Sequence, residues 1–490
     1  MTIKSLPSSC MRVLLFTSVA LTEKASVVHG QTIRVMNVVP ASLSAETNQD
    51  SEPFLAVQTA NPLVMVISAF TPNPISNTGN APVYVSQDGG NTWVLQFVAP
   101  ARWTTCDITH AMATGANHPR GDLYAASLAC QGSTTRLDES ETGDVSSGSV
   151  MSVHSTRSNV DQPFVRALAF GAHALQKSND HVYVGINDFN KPNGRTATVD
   201  VSVNGGRTYN SVSIESRPTG GQDGPSVRPA IAADNTVYAA FFGWRSFSGT
   251  TATSDIVVVR DDAGGTGGTP FQALKDPSDN LPGRLVVKGV SIPWSNAPTL
   301  GQERIGSTLS IAVDPNNSSI VYVSWADRVG NGDIYTLHVR RSTDRGVTWS
   351  AADLANTTIT NATNVALAVA GSGTVGFLYQ QLANGRWVTH LVQSNNAFAT
   401  VKDTVLATVP GDVPAAQFLP YLGDYDYLFA IGNEFRGVFC TNNTPDMANF
   451  PQGVKFQRAA NFITKTLNDG AGHAVAISID PFYFTVPVLQ

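Results

Sequence analysis

Seven side chains able to do acid, base or ion-pairing chemistry fall at matching places of a repeated strand pattern: Glu52, Asp161, Arg228, Glu303, Arg304, Asp424 and Tyr425. Arg228 and Arg304 come from successive repeats, and two guanidinium groups so placed can grip one carboxylate through charge-assisted, bidentate contacts. Glu52, Asp161 and Asp424 add carboxyl groups beside them, a combination suited to binding a polar substrate and moving a proton. A structural alternative stands beside each role. Buried arginines and carboxylates also form ion pairs, Glu52 and Asp161 stand close to prolines where they could bind backbone N–H groups, and Tyr425 could be a packed aromatic.

The elements that position these residues are strands. A unit recurs in which a strand of small apolar residues is followed, after a short turn, by a β-branched and aromatic strand. Its copies are 52–57 with 63–70, 107–114 with 122–128, 161–164 with 181–184, 227–232 with 236–242, 307–313 with 320–325, 364–370 with 374–380, and 423–430 with 437–442. The starts lie 54 to 80 residues apart, the length of a four-stranded propeller blade with its loops. The sequence therefore predicts an all-β fold, a single β-propeller of four-stranded antiparallel blades over 31–490, with seven blades favoured and six as the alternative. Segments 33–39 and 474–488 are expected to share a blade and close the ring. The glycine run 264–268 and the stretch 277–298 read as a flexible loop insertion. In such a ring the inner strands surround a channel, and the seven residues above cluster at its entry.

With 490 residues, 42% of them hydrophobic and 14% charged, the chain has material for a large core. A net charge of −6 without a long basic run argues against a nucleic-acid partner. Residues 1–30, with Lys4 and Arg12 ahead of a short apolar run, read as a signal peptide or leader, and the run is too short to span a bilayer. The expectation is a secreted or periplasmic protein without a transmembrane segment. Cys106 and Cys130 bracket a hairpin and would face each other across it as a disulfide or as two buried thiols. Cys440 reads as a core thiol. His110 and His118 lack a ligand cluster, so neither metal nor cofactor is expected. Phosphate-loop, dinucleotide and nucleophile-elbow motifs are missing from the sequence.

Three turns share the form Ser-x-Asp-x-Gly-x-Thr-Trp: Ser86 to Trp93, the variant Ser202 to Tyr209 with Asn204, and Ser342 to Trp349. Asp88, Asn204 and Asp344 can accept hydrogen bonds from their own turn, glycine takes the positive-φ position, and the aromatic ring packs beneath. These turns resemble the Asp boxes of the sialidase (neuraminidase) superfamily. That resemblance implies boxes joining the third and fourth strands of a blade, away from the active site. It also implies an exo-glycosidase in which arginines hold an acidic sugar, Tyr425 in the last unit is the nucleophile, Glu303 its base and Asp161 the acid/base. Where that family has Arg-Ile-Pro in the first blade, this chain has Ser51-Glu52-Pro53, so a further arginine, Arg102 or Arg245, would have to reach the axis. The expected partner is a glycan or glycoconjugate, either hydrolysed or, in the alternative, bound without catalysis through the loops.

Overall fold

The computed structural model describes residues 32–70, 80–100, 103–113, 122–148, 151–169, 179–294, 300–329, 334–354, 359–417 and 419–490. The expected leader, Cys10, Arg102, His118 and the turn at 117–120 lie outside them. Seven inner strands lie side by side in a closed ring: Ser51–Val57, Thr104–Ala113, Val160–Ala169, Val227–Ile231, Leu309–Asp314, Ala362–Val369 and Tyr427–Ile431, the last packing back against the first. Each is the innermost strand of an antiparallel blade, so the seven-bladed reading holds. Six blades have four strands, and the fifth has three among the described residues. The only helical pieces among these residues are three-residue 3-10 turns.

Every blade is covered on both faces by its neighbours, which explains why the second strands are mostly apolar and buried. Val237 to Trp244 is wholly buried, and its aromatic and β-branched residues suit a pleated surface covered on both sides. Trp93, Trp244, Trp325 and Trp387 fill the wedges between sheets.

The last blade takes strands from both ends of the chain. Its order runs from the inner Tyr427–Ile431 through Glu434–Asn442 and Ile479–Pro487 to Arg34–Asn37, with Arg34 opposite Thr485 and Asn37 opposite Phe482. The ring is thus closed by backbone hydrogen bonds between distant segments, as the 33–39 and 474–488 patterns predict.

The supposed insertion after the fourth unit is a correction. Arg284–Pro293 is the outer strand of the fourth blade. Gly264 and Gly265 sit in a fixed turn whose geometry an aspartate dictates. Asp261 Oδ1 accepts from the N–H groups of Ala263 and Gly265 at 2.7 and 2.8 Å, and Tyr183 donates to the Gly264 carbonyl at 2.9 Å.

The three Ser-x-Asp turns join third to fourth strands, or follow the third strand in the fifth blade. Ser86 Oγ accepts from Gly90 N at 2.8 Å while Asp88 Oδ1 accepts from Thr92 N at 2.9 Å. Ser202 with Asn204 and Ser342 with Asp344 repeat this bonding. Gly90, at φ 82, cannot be replaced cheaply, because a Cβ there would lie 2.3 Å from Tyr483. A fourth copy of the same turn is absent from the motif search because its glycine position holds Phe398 at φ 66. Ser394 Oγ accepts from Phe398 N at 2.8 Å and Asn396 Oδ1 from Thr400 N at 2.9 Å. Cys106 and Cys130 form a disulfide with Cα atoms 5.9 Å apart, and Cys440 is a buried thiol donating to the Asp50 carbonyl at 2.9 Å.

Candidate active site

The inner strands of the first, second, third and sixth blades are interrupted at corresponding places near their starts. Register shifts fall between Ser51 and Phe54, Thr105 and Asp107, Asp161 and Phe164, and Thr363 and Ala366. Glu52, Gln162 and Asn364 occupy three of these bulges with φ of 56°, 45° and 55°. A bulge re-aims its side chain, and positive φ at a non-glycine residue persists only where the surroundings enforce it. Asn364 donates to Gln380 at 3.0 Å and stays in the core, whereas the groups of the first three blades converge on one mouth of the channel. They line a cavity of about 280 Å³ formed by Ser51, Glu52, Asp107, Asp161, Gln162 and Arg304, walled by the Cys106–Cys130 disulfide and by Leu419 and Pro420. That volume is at the small end for a ligand pocket.

Asp424 organises the polar floor. Arg304 grips it side-on with two donors, Nε to Oδ1 at 2.9 Å and Nη2 to Oδ2, and Gln162 donates to Oδ2 and to Ser307 Oγ, the latter at 2.9 Å. The Arg304 guanidinium also lies over the Trp294 ring at 5.0 Å. Burial opposes its charge, but Asp424 and Glu52 outweigh that and hold it more firmly protonated than usual. Gly423, at φ 110, lets the 422–424 backbone come against Glu52. A Cβ there would sit 2.3 Å from the Glu52 nitrogen.

The remaining carboxyl groups are crowded and dry. Glu52 and Asp107 interact closely, and two buried carboxyl groups so placed resist ionising together. Burial and then the neighbouring Asp424 push Glu52 up to about 8, and burial and then Glu52 push Asp107 well above the carboxylate range. Asp161 is raised to about 6 by burial, with Arg304 pulling it down and Asp424 up. At neutral pH the pocket thus holds a retained proton on Glu52–Asp107 facing a largely ionised Asp161.

The structure therefore brings together Glu52, Asp161, Arg304 and Asp424 from the seven residues singled out in the sequence. It separates the other three. Arg228 has no bulge beneath it, its blade pairing without a break from Val227 opposite Phe241 to Ile231 opposite Val237. Its guanidinium consequently lies below the mouth, over Phe164 at 4.3 Å, donating to the Leu309 carbonyl at 3.2 Å. It does not converge with Arg304 on a shared carboxylate. Tyr425 is buried in the same neck beside Phe54 and Arg228. Burial, then Glu52 and Asp107, push its phenol well above the usual value. Glu303 is not its base: Oε1 accepts the Leu422 N–H, and burial keeps this carboxyl well above the usual range. Arg245 is held by Glu215 and Asp255 at 2.9 and 2.6 Å and does not line the pocket.

Asp107 and Gln162 are the pocket residues that the sequence reading passed over as candidates. The recurrence of Glu52-Pro53-Phe54 as Gln162-Pro163-Phe164 carries the signal for the second. His110 packs edge-on against Phe54 at 5.4 Å and burial drives it down to about 3, leaving a neutral core imidazole. No cluster of metal ligands occurs among the described residues.

No protein-family model and no curated protein matches the sequence. Among solved structures, the chain is similar to an α-L-arabinofuranosidase of Fusarium graminearum in complex with an iminosugar inhibitor, at 10% identity and TM-score 0.44, over 92% of this chain and 98% of that one. It is similar to a polysaccharide lyase of family PL25, an ulvan lyase bound to -[GlcA(1-4)Rha3S]-, at 9% identity and TM-score 0.47, over 80% and 92%. With the GH74 xyloglucanase of Xanthomonas campestris the identity is 14% and the TM-score 0.40, over 74% of this chain and 48% of the other. The chain spans about half the length of that xyloglucanase. All three neighbours are carbohydrate-active enzymes, and at these scores the likeness identifies no residue of the pocket.

Proposed function

We propose that the axial pocket hydrolyses a glycosidic bond of a neutral glycan. The observation that carries this is the gathering of Glu52, Asp107 and Asp161 in one axial cavity of about 280 Å³, where burial raises Glu52 and Asp107 further than Asp161. Glycoside hydrolysis needs one carboxylic acid and one carboxylate flanking the scissile bond. In this reading the Glu52–Asp107 pair gives its proton to the departing glycosidic oxygen as the bond to the anomeric carbon breaks. Asp161 takes a proton from the water that supplies hydroxide to that carbon. Positive charge developing on the sugar ring is favoured by the surplus of carboxyl groups, and Arg304 with Asp424 holds the floor in place.

An acidic sugar, the finer expectation raised by the Asp-box resemblance, suits the pocket less. Among the described residues the one guanidinium lining it, Arg304, is already bidentate to Asp424, and Arg228 lies in the neck. The Cys106–Cys130 pair in the pocket wall supports a further part of the proposal, an oxidising compartment outside the cytoplasm. Cell fractionation checks that part.

The test is release of reducing sugar or nitrophenol from a panel of neutral and sialic-acid glycosides by the wild type, Glu52→Gln and Tyr425→Phe. The expected result is turnover of a neutral glycoside, lost in Glu52→Gln and retained in Tyr425→Phe. Turnover confined to sialosides, or binding of neutral sugars with no turnover, overturns the proposal.

A further inference from the structure

The seven inner strands also enclose a second mouth, at their opposite ends. It opens into a cavity of about 230 Å³ whose wall combines polar surface with the apolar side chains of Leu168, Ile231, Ile311, Val313, Leu367 and Phe429. These positions lie late in the inner strands of the third to seventh blades, and the third also carries Asp161 and Gln162 of the acidic pocket near its start. At its floor, where the channel narrows, stands Arg166, with Arg228 behind it in the neck.

The two arginines have an arrangement unlike the others of this chain. Both stack on the Phe164 ring, at 4.6 and 4.3 Å from its centroid. Arg166 lies over Tyr427 at 4.9 Å and Arg228 over Tyr425 at 5.6 Å. Every hydrogen bond they make goes to a neutral acceptor. Arg166 donates to the Tyr427 hydroxyl at 2.5 Å and the Val165 carbonyl at 3.4 Å. Arg228 donates to the carbonyls of Leu309 and Ser307 and to Ser226 Oγ, and its Nη1 meets no protein acceptor although the residue is only 2% exposed.

A charge taken out of water is costly, and burial pulls Arg228 down to about 10, with Asp424 and Asp107 opposing it only in part, and lowers Arg166. Ring stacking occupies the faces of a guanidinium and leaves its in-plane N–H edges to find an acceptor. An anion reaching the floor of the funnel would meet those edges. The apolar side chains of the wall above it would take an apolar tail.

We propose that this second mouth is a binding site for a small monocarboxylate with a short apolar tail, its head on Arg166 and Arg228 and its tail along the wall. The acidic mouth plays no part, so the site stands or falls independently of glycoside hydrolysis.

The test is calorimetric titration of the full chain with hexanoate, 1-hexanol and inorganic phosphate, with circular dichroism to verify each variant's fold. Saturable hexanoate binding is expected, with hexanol and phosphate each at least about tenfold weaker, since the first lacks the charge-assisted contacts and the second the tail. Arg166→Met should weaken hexanoate by at least about tenfold. Ala167→Phe, which fills the funnel and leaves both arginines in place, should do the same, and Glu52→Gln should bind as the wild type does. Equal binding of hexanol, equal binding of phosphate, an unchanged affinity in folded Arg166→Met or Ala167→Phe, or no saturable binding of hexanoate overturns the assignment.

Discussion

Arg304 holds Asp424 through the Nε and Nη2 edge of its guanidinium, tying the segment that enters the fifth blade to the one that enters the seventh. This pair, joined by Gln162 from the third blade, fixes the floor on which Glu52, Asp107 and Asp161 stand. Replacing Arg304 by Met leaves Asp424 buried near the carboxyl groups of Glu52, Asp107, Asp161 and Glu303 without its cation. Removing one partner of a buried pair typically costs about 3–5 kcal/mol. The expected outcome is a lower melting temperature together with loss of glycoside turnover, read by calorimetry and by the release assay. Asp424→Asn, which keeps the shape and removes the negative charge, should lose activity with the smaller stability loss.

The disulfide lies in the pocket wall and closes a loop of 24 residues in sequence. Chain-entropy reasoning puts its contribution at about 3 kcal/mol. The Cys106→Ala, Cys130→Ala double variant should therefore unfold at lower denaturant, and because Asp107 adjoins Cys106 it should also turn over more slowly. Denaturation curves and steady-state rates measure both effects.

The turns at the third-to-fourth strand connections should behave as stability elements alone. Ser394→Ala removes the oxygen that accepts from Phe398 and Asn396, as Ser86→Ala does for Gly90 and Asp88. Each should cost about 1–2 kcal/mol in unfolding free energy. Neither should change kcat, and a kcat loss from Ser394→Ala would show that the turn serves the site.

These turns also show how far the sequence could be read. Three of them, with the alternating strands between, made the propeller legible, since turn chemistry and strand period are local properties of the chain. The fourth was hidden because Phe398 adopts the left-handed conformation that the motif normally gives to glycine. The pocket was half legible for a similar reason. Strand starts could be located, so Glu52, Asp161, Arg304 and Asp424 were found, but a bulge is a mismatch between two strands and cannot be read from one of them. Hence Arg228, which resembles Glu52 and Gln162 in preceding a proline, was expected at the mouth and lies in the neck. Glu303 neighbours Arg304 in sequence, yet its carboxylate turns to the Leu422 N–H.

Stability should fall as pH rises. Glu139, at the contact of the second and third blades beside Asp200 and Arg157, is raised to about 8 by burial and then by Asp200. Its neutral form is the one the fold favours, so its contribution is complete below about 4.5 and is lost as pH rises through about 8. Glu46, raised to about 7 by burial, adds to the same trend. The melting temperature should thus decline between pH 5 and 8.5, and Glu139→Gln should flatten the decline. A wild-type melting temperature that rises over that interval would count against these protonation states.

The central claim is that a proton held by Glu52–Asp107 does acid work while Asp161 does base work. The pH dependence of kcat/KM for a neutral glycoside tests it most directly. The account predicts a bell, rising as Asp161 ionises near pH 6 and falling as the pair loses its proton near pH 8. In Asp107→Asn, which cannot share that proton, the alkaline limb should move or vanish with most of the rate. A wild-type profile flat from pH 5 to 9, or one unchanged in shape and height by Asp107→Asn, would contradict it.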